Sequence, residues 1–133
     1  RIIAMQILYQ WNISKTFVSE ILAESRIANM HFKTDWPFCE DLVLGVSRQA
    51  EMLDQAIQPH LIEALSKTNP VELAILRLGA YELKSRLEIP YPIIVSEYVK
   101  IAADFGASQG EKFVNGVLDG MAKQIRKLEK RGE

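Results

Sequence analysis

The sequence predicts an all-α protein, a compact bundle of about seven helices. Three observations predict this fold class. Apolar residues recur along most of the chain with the 3.6-residue period of a helix that buries one face. No stretch alternates between apolar and polar residues for long enough to form a strand. With 133 residues and 48% apolar content, the chain is long enough for one compact core.

Two helices are predicted in the first thirty residues. The first runs from Arg1 to about Trp11, and its apolar face consists of Ile3, Ala4, Ile7, Leu8 and Trp11. Polar residues in the segment 12–16 are predicted to end it. The second runs from Phe17 to about Met30, and its apolar pattern includes Val18, Ile21, Leu22 and Ile27.

A third, longer helix is predicted to begin at Asp35, Trp36 and Pro37, because aspartate can cap free backbone amides and proline fits the first turn. Its predicted buried stripe is Phe38, Leu42, Val46, Ala50, Leu53 and Ile57. Pro59 ends or redirects this helix, and the segment 60–65 is predicted to form a short amphipathic turn.

The segment Ser66–Pro70 repeats the combination of capping residue and proline, and predicts a fourth long helix. The apolar pattern of that helix includes Val71, Ala74, Ile75, Leu78 and Leu83. We expect a single domain over residues 1–133, with two small subbundles of about 1–66 and 67–133 on either side of this short connection.

Two more helices complete the prediction. The segment Ile89–Pro92 is expected to be a non-helical elbow, because each proline restricts the residue before it. The next helix ends at Gly106, and its core-facing residues are Ile94, Tyr98, Ile101, Ala102 and Phe105. The last helix starts at about Gln109 and buries Val114, Val117, Leu118, Met121, Ile125 and Leu128.

Composition excludes several classes of function. The net charge of −1 is not that of a protein that grips nucleic acid by charge alone. No segment has the length and apolarity of a membrane span and no signal-peptide pattern opens the chain, so a cytoplasmic location is expected. His31 and His60 lack the neighbours of a metal site, and Cys39 is interpreted as a core residue. We therefore predict a binding protein, not an enzyme, with no metal and no cofactor.

The candidate binding residues lie on the last helix. Phe113 is about a quarter turn away from the buried stripe, beside Lys112 and on the side of Gly116 and Gly120. An aromatic ring beside a cation can stack on an unpaired base while the cation meets phosphate, and the alternative is a ring at the edge of the core. Glycines inside a helix cost about 1 kcal/mol each, which indicates a backbone that must be approached closely.

Other polar residues leave alternatives open. Asn115 can bond a base edge or a neighbouring helix. Arg77 can form an internal ion pair, with Glu72 or Glu82, or contact RNA. Basic residues near the end of the chain either bind phosphate or complement a helix dipole and fray into solvent, and they are Lys123, Arg126, Lys127, Lys130 and Arg131.

Six collinear segments across nearly the whole chain resemble the NusB family of transcription antitermination factors. They are QILYQW (6–11), DLVLGV (41–46), LD with a following I-x-P (53–59), VELAILRLGAYEL (71–83), IPYPIIVSEYVKIAADFGA (89–107) and KFVNGVLD (112–119). The sequence FGA, followed after four residues by KFVNGVLD, is the most specific of these. The family includes NusB-like domains fused to RNA methyltransferases.

The resemblance implies an adaptor built from two small helical subbundles. Its implied partners are the ribosomal protein NusE, the boxA element of nascent ribosomal RNA leaders, and RNA polymerase with other Nus factors. By position, Arg1, Gln6, Lys112 and Phe113 match RNA-contact residues of the family. Tyr9 and Glu72 match positions that face NusE.

The chain also departs from the family pattern. It begins at what resembles the last arginine of an arginine-rich leader, so weaker RNA binding is expected from the sequence as given. Ser108 and Gln109 replace the usual acidic residues after FGA. Two alternatives stay open: an RNA-targeting domain of a methyltransferase, and a helical protein without an RNA role. When free, the chain is also a candidate homodimer.

Overall fold

A computed structural model describes residues 1–127, and within that range the protein consists of α-helices, two short 3-10 turns and connecting loops. The predicted all-α class is therefore confirmed, with six α-helices where about seven helices were expected. The helices are α1 (Ile2–Ser14), α2 (Val18–Ala28), α3 (Trp36–Ile57), α4 (Pro70–Ser85), α5 (Tyr91–Phe105) and α6 (Gly110–Ile125). The 3-10 turns are Gln58–His60 and Leu65–Lys67.

The predicted helix starts at aspartate and asparagine are confirmed. Asp35 Oδ1 accepts a hydrogen bond from the Phe38 amide at 3.1 Å, which caps α3. Asn69 Oδ1 accepts from the Val71 amide at 2.9 Å, and Pro70 occupies the first turn of α4, where its missing donor costs nothing.

Two predicted boundaries are wrong by a few residues. The first helix continues beyond Trp11 to Ser14, because polar side chains fit its solvent side and the backbone turns only at Lys15, which is left-handed with φ 60°. The elbow before α5 is shorter than expected. Helix α5 begins at Tyr91, since Pro92 sits in the first turn, where no amide donor is required.

Helix α4 is the centre of the molecule. Every residue from Glu72 to Leu83 is buried, because α4 packs against α1, α3, α5 and α6. One hydrophobic cluster includes residues of all six helices.

Phe105, predicted to face this core, is 42% exposed, because it lies in the last turn of α5. Leu128 lies outside the described residues, and the division into two subbundles stays a prediction.

Arginines inside the fold have internal partners. The guanidinium of Arg77 donates to both carboxylate oxygens of Asp54, at 2.8 and 2.7 Å, and to Asn12 Oδ1 at 3.2 Å. The internal ion pair predicted for Arg77 therefore exists, but with Asp54 of α3 and not with Glu72 or Glu82. This pair joins α3 and α4 across the core.

Arg126 follows α6 and is 4% exposed. It donates hydrogen bonds to the carbonyl oxygens of Leu83 at 2.7 Å, Arg86 at 3.0 Å and Ile89 at 3.1 Å. These carbonyls belong to the end of α4 and the loop that follows it, and the last turn of a helix leaves such acceptors without intrahelical donors. Arg126 is therefore a structural residue, which corrects its inclusion in a solvent-exposed basic end. Lys130 and Arg131 lie outside the described residues.

Candidate functional site

Lys112 and Phe113 lie in the first turns of α6, as the sequence predicted. Helix α6 starts after a left-handed residue, Gln109, with φ 67°. Lys112 is exposed and takes part in none of the ion pairs described within residues 1–127. Phe113 is half-buried and packs against the hydrophobic cluster with part of its ring. The ring therefore lies at the edge of the core, and because part of it stays accessible its stacking on a base remains a prediction.

Beside these two residues is an open groove of about 570 Å³ between α6, the start of α4 and the connection between α3 and α4. We call it the α4–α6 groove. From α6 it is lined by Lys112, Phe113, Gly116 and Val117. The other residues that line it are His60, Leu61, Ile62, Glu63, Lys67, Thr68, Asn69 and Glu72. Nothing in the sequence pattern indicates that the segment 60–67 would face α6, since this contact is long-range.

The two glycines singled out on α6 have different surroundings. A Cβ atom at Gly120 would lie 2.9 Å from Nδ1 of His60, so Gly120 is needed for the packing of that ring. A Cβ atom at Gly116 would meet no other atom within 4 Å. Only Gly116 therefore fits the prediction of a backbone left open to a ligand.

Glu72, predicted to face NusE, is 6% exposed and lines the back of the α4–α6 groove. Its Oε2 accepts a hydrogen bond from the Ala107 amide at 2.9 Å, and a Cβ atom at Gly106 would lie 3.1 Å from the same oxygen. This carboxylate therefore joins the first turn of α4 to the loop between α5 and α6. Its role as a partner contact stays a prediction, and a structural role is evident beside it.

Gln6 and Tyr9 lie together on the exposed side of α1. The spacing of residues 2, 6, 9 and 13 places them on one helical stripe, and all four are exposed. We call this the α1 stripe: Ile2, Gln6, Tyr9 and Ile13. Its three apolar members are 44%, 38% and 55% exposed in chain order. The predicted RNA contact Gln6 and the predicted NusE contact Tyr9 thus share one surface.

Arg1 is held inside the protein by Glu82. Its Nε and Nη2 donate to the two carboxylate oxygens of Glu82, both at 2.9 Å, and Tyr98 donates to the same carboxylate. These hydrogen bonds raise the pKa of the Arg1 guanidinium, while burial raises the pKa of the Tyr98 hydroxyl well above its ordinary value. Glu82 is fully buried, so it needs a cation partner. The predicted RNA role of Arg1 is untested, and its charge is already balanced.

Asn115 and Cys39 are the remaining candidate residues. Asn115 is exposed beside α5, where it lines a shallow groove with Ser96 and Asp119, and both of its interpretations stay open. Cys39 is buried, which raises the pKa of its thiol, as expected of a core cysteine.

Among residues 1–127 no group of three potential metal-ligating side chains comes together. Within the same range, no helix combines the length and apolarity needed to cross a membrane.

Fold and site together define a class: a small helical binding protein with a cation and an aromatic ring beside an open groove, and an apolar stripe on another helix. The family model named for the NusB family matches residues 1–123. The chain belongs to the NusB family. This membership confirms the predicted resemblance and the prediction that the chain is not an enzyme.

Curated relatives carry the same family name. The transcription antitermination protein NusB of Marinobacter nauticus is 44% identical over 131 residues, covering 98% of this chain and 83% of that protein. The protein of the same name from Hahella chejuensis is 40% identical over 129 residues, covering 97% of this chain and 87% of that protein. The chain is thus similar to antitermination proteins over nearly its whole length.

Solved structures agree on the fold. T. maritima NusB superimposes with a TM-score of 0.84 at 27% identity, covering 91% of this chain and 86% of that one. A crystal structure of antitermination factors NusB and NusE in complex with dsRNA includes a chain that superimposes with a TM-score of 0.82 at 26% identity, covering 92% of each chain.

Proposed function

We propose that this protein is a transcription antitermination adaptor that binds the boxA RNA of nascent ribosomal RNA transcripts together with NusE. In this proposal the pair acts on RNA polymerase with other Nus factors, in the cytoplasm, so that transcription continues through terminators. The observation that carries the RNA part is that Lys112, which forms no ion pair within residues 1–127, lies beside the partly accessible ring of Phe113 in the lining of the α4–α6 groove.

A lysine and an aromatic ring are suited to an RNA strand because they recognise its two general features. The ammonium group attracts phosphate, and the ring offers a flat face to an unpaired base. Lys112 is free to do so, whereas the guanidinium of Arg1 is engaged by Glu82. We therefore expect Lys112 to contribute more to RNA affinity than Arg1, with Gln6 as a polar contact from α1.

The NusE part of the proposal is supported by the solved complex of NusB and NusE with dsRNA. On this chain, the α1 stripe exposes Ile2, Tyr9 and Ile13, and exposed apolar side chains in one row are typical of a protein interface. The same stripe is the surface by which a free homodimer would compete with NusE.

The adaptor is favoured over the alternative of a methyltransferase targeting domain. The curated relatives reported above are named for antitermination, and the chain spans 83% and 87% of their lengths. This supports the antitermination role for the chain.

The RNA site is tested by changing the ring while keeping the packing. Phe113 packs partly against the core, so replacement by alanine would combine lost binding with lost stability. Phe113→Leu keeps an apolar side chain and removes the flat ring. We expect it to weaken binding of a single-stranded boxA oligonucleotide by about 1 to 3 kcal/mol, measured by titration at fixed salt.

Two comparisons make this test specific. Phe113→Tyr retains the ring and should bind like the unchanged protein. A duplex of the same sequence has no unpaired base to stack, so Phe113→Leu should affect it much less. Equal affinities of the leucine and tyrosine variants for the single strand would show that Phe113 stacks on no base, and the RNA site would have to be sought elsewhere.

A further inference from the structure

Within residues 1–127, no packing contact explains the glycine at position 116. Glycine in the middle of a helix is unfavourable compared with alanine, so a helical glycine usually reflects close packing. Gly45 of α3 is in direct contact with the ring of Tyr81, and a Cβ atom at Gly79 of α4 would lie 2.7 Å from Leu118. Gly116 differs, because the space where its Cβ would be is open and faces the α4–α6 groove.

The groove also carries two cations that the fold does not use. Lys112 lines it from α6, and Lys67 lines it from the 3-10 turn before α4. Both lysines are exposed, and neither takes part in the ion pairs described within residues 1–127. Glu63 and Glu72 line the groove as well. Glu72 is buried, and its carboxylate accepts a hydrogen bond from the Ala107 amide. Glu63 is therefore the exposed carboxylate that lines the groove together with these lysines.

We propose that the α4–α6 groove is a second nucleotide subsite, in which Lys67 contacts a phosphate and the bare backbone of Gly116 admits the sugar. The nucleotide is the neighbour of the one that stacks on Phe113, so the RNA strand continues from α6 toward the segment 60–67. This inference rests on the proposed RNA function and extends it to residues that the sequence analysis did not assign to RNA.

RNA fits this groove better than a protein segment does, for two reasons. Lys67 and Lys112 lie on different elements and form no ion pair within residues 1–127, which suits an RNA strand with a phosphate at every nucleotide. Ile62, whose side chain is fully exposed on the same groove, offers an apolar contact to a base or a ribose. The groove is also continuous with Lys112 and Phe113. Glu72, which matches a NusE-facing position, lies in the groove as well, but its buried carboxylate already accepts the Ala107 amide.

Three variants test the subsite: Lys67→Ala, Gly116→Ala and, as a matched control outside the groove, Lys84→Ala. The probe is a single-stranded boxA oligonucleotide, titrated at several salt concentrations. For Lys67→Ala we expect weaker binding and a slope of log affinity against log salt that is smaller by about 0.7, the value for one phosphate contact on a single strand. Lys84→Ala should change neither quantity.

Gly116→Ala should leave the salt slope unchanged and still weaken binding at least several-fold, because the added methyl group occupies the groove. The same change should raise Tm by about 3 °C, because alanine is the better helix former and meets no clash. Weaker binding by a more stable protein separates an occupied groove from a damaged fold.

Different failures have different meanings. If Phe113→Leu weakens RNA binding but Lys67→Ala and Gly116→Ala do not, the subsite is refuted and the proposed function stands. If Phe113→Leu, Lys67→Ala and Gly116→Ala all leave RNA binding unchanged, the subsite and the proposed RNA site on α6 are both refuted; if the unchanged protein does not bind boxA RNA at all, the proposed function fails. If Gly116→Ala weakens NusE binding and leaves RNA binding intact, the groove belongs to the protein partner and the subsite is again refuted.

Discussion

At the scale of single residues, three arginines serve the fold. Arg1, Arg77 and Arg86 form ion pairs with Glu82, Asp54 and Asp41. The planar guanidinium suits such partly buried sites because it donates in two parallel directions and is more weakly hydrated than an ammonium group. The groove is lined by lysines instead, Lys67 and Lys112.

The contribution of Arg126 to stability can be tested by mutation. Its hydrogen bonds to Leu83, Arg86 and Ile89 satisfy carbonyl groups at the end of α4, and hydrogen bonds to charged groups contribute about 1.5 to 3 kcal/mol each. Arg126→Met keeps the length of the side chain but removes its donors. We expect the free energy of unfolding to fall by about 3 kcal/mol in urea titrations.

The control is Lys127→Ala, a change of an exposed basic neighbour, which should stay within about 0.5 kcal/mol of the unchanged protein. A similar small effect for Arg126→Met would mean that water can replace the guanidinium, and that the end of α4 does not depend on it.

The sequence could not predict the partners of these arginines. The helical period correctly assigned Arg77 to an otherwise apolar helix, and an internal ion pair was one of the two interpretations that its position left open. The choice of Asp54 over Glu72 or Glu82 depends on how α4 rotates against α3, and that rotation is set by packing across the core. Arg126 was misassigned for the same reason, because its acceptors are about forty residues away in the chain.

At the scale of elements, the starts of helices were predictable because their signals are local. Asp35 and Asn69 act on amides two or three residues away. Helix ends were less predictable. The end of α1 depends on the left-handed backbone of Lys15. A lysine rarely adopts this conformation, so the sequence gives no signal for it, and the polar residues before Lys15 predict an earlier end.

The close packing of α3 against α4 at Gly45 can be tested by mutation. Gly45 lets α3 approach α4 so closely that the ring of Tyr81 lies against the glycine backbone, and Tyr81 is fixed by a 2.9 Å hydrogen bond to Asp41. In Gly45→Ala the methyl group must push the ring or the helix aside. We expect a loss of about 1 to 3 kcal/mol in the free energy of unfolding, despite the higher helix propensity of alanine.

Gly116→Ala is the matched control for Gly45→Ala, since it adds the same atom to a helix with open space around it. Thermal unfolding of both variants should therefore show shifts of opposite sign. Shifts of the same sign would mean that helix propensity outweighs packing at Gly45, and that α3 and α4 have room to separate.

At the scale of the whole molecule, the predicted site residues lie on different parts of the surface. The quarter-turn offset of Phe113 and the match to the family pointed to the start of α6 from sequence, and the RNA role of these residues stays a prediction. The α4–α6 groove was not predictable, because it exists only where the segment 60–67 meets α6, about fifty residues later in the chain. Long-range contacts of this kind have no signal in the local periodicity.

The assembly with NusE can be tested by separating a surface contact from a structural one. Tyr9 is 38% exposed in the middle of the α1 stripe, so Tyr9→Asp should leave Tm almost unchanged. We expect this variant to weaken NusE binding by about 2 kcal/mol in calorimetry, because an aromatic anchor is replaced by a charge that must be desolvated. Binding of boxA RNA without NusE should change much less, since Lys112 and Phe113 are on α6 and only Gln6 shares the α1 stripe with Tyr9.

Glu72→Gln is the informative companion to Tyr9→Asp. Both residues match family positions that face NusE, but Glu72 is 6% exposed and accepts a hydrogen bond from the Ala107 amide, so its change should lower Tm as well as NusE affinity. Glu72→Lys would place a cation in this buried site and should disturb the fold. If Tyr9→Asp binds NusE as tightly as the unchanged protein does, the α1 stripe is not the NusE surface, whatever Glu72→Gln shows.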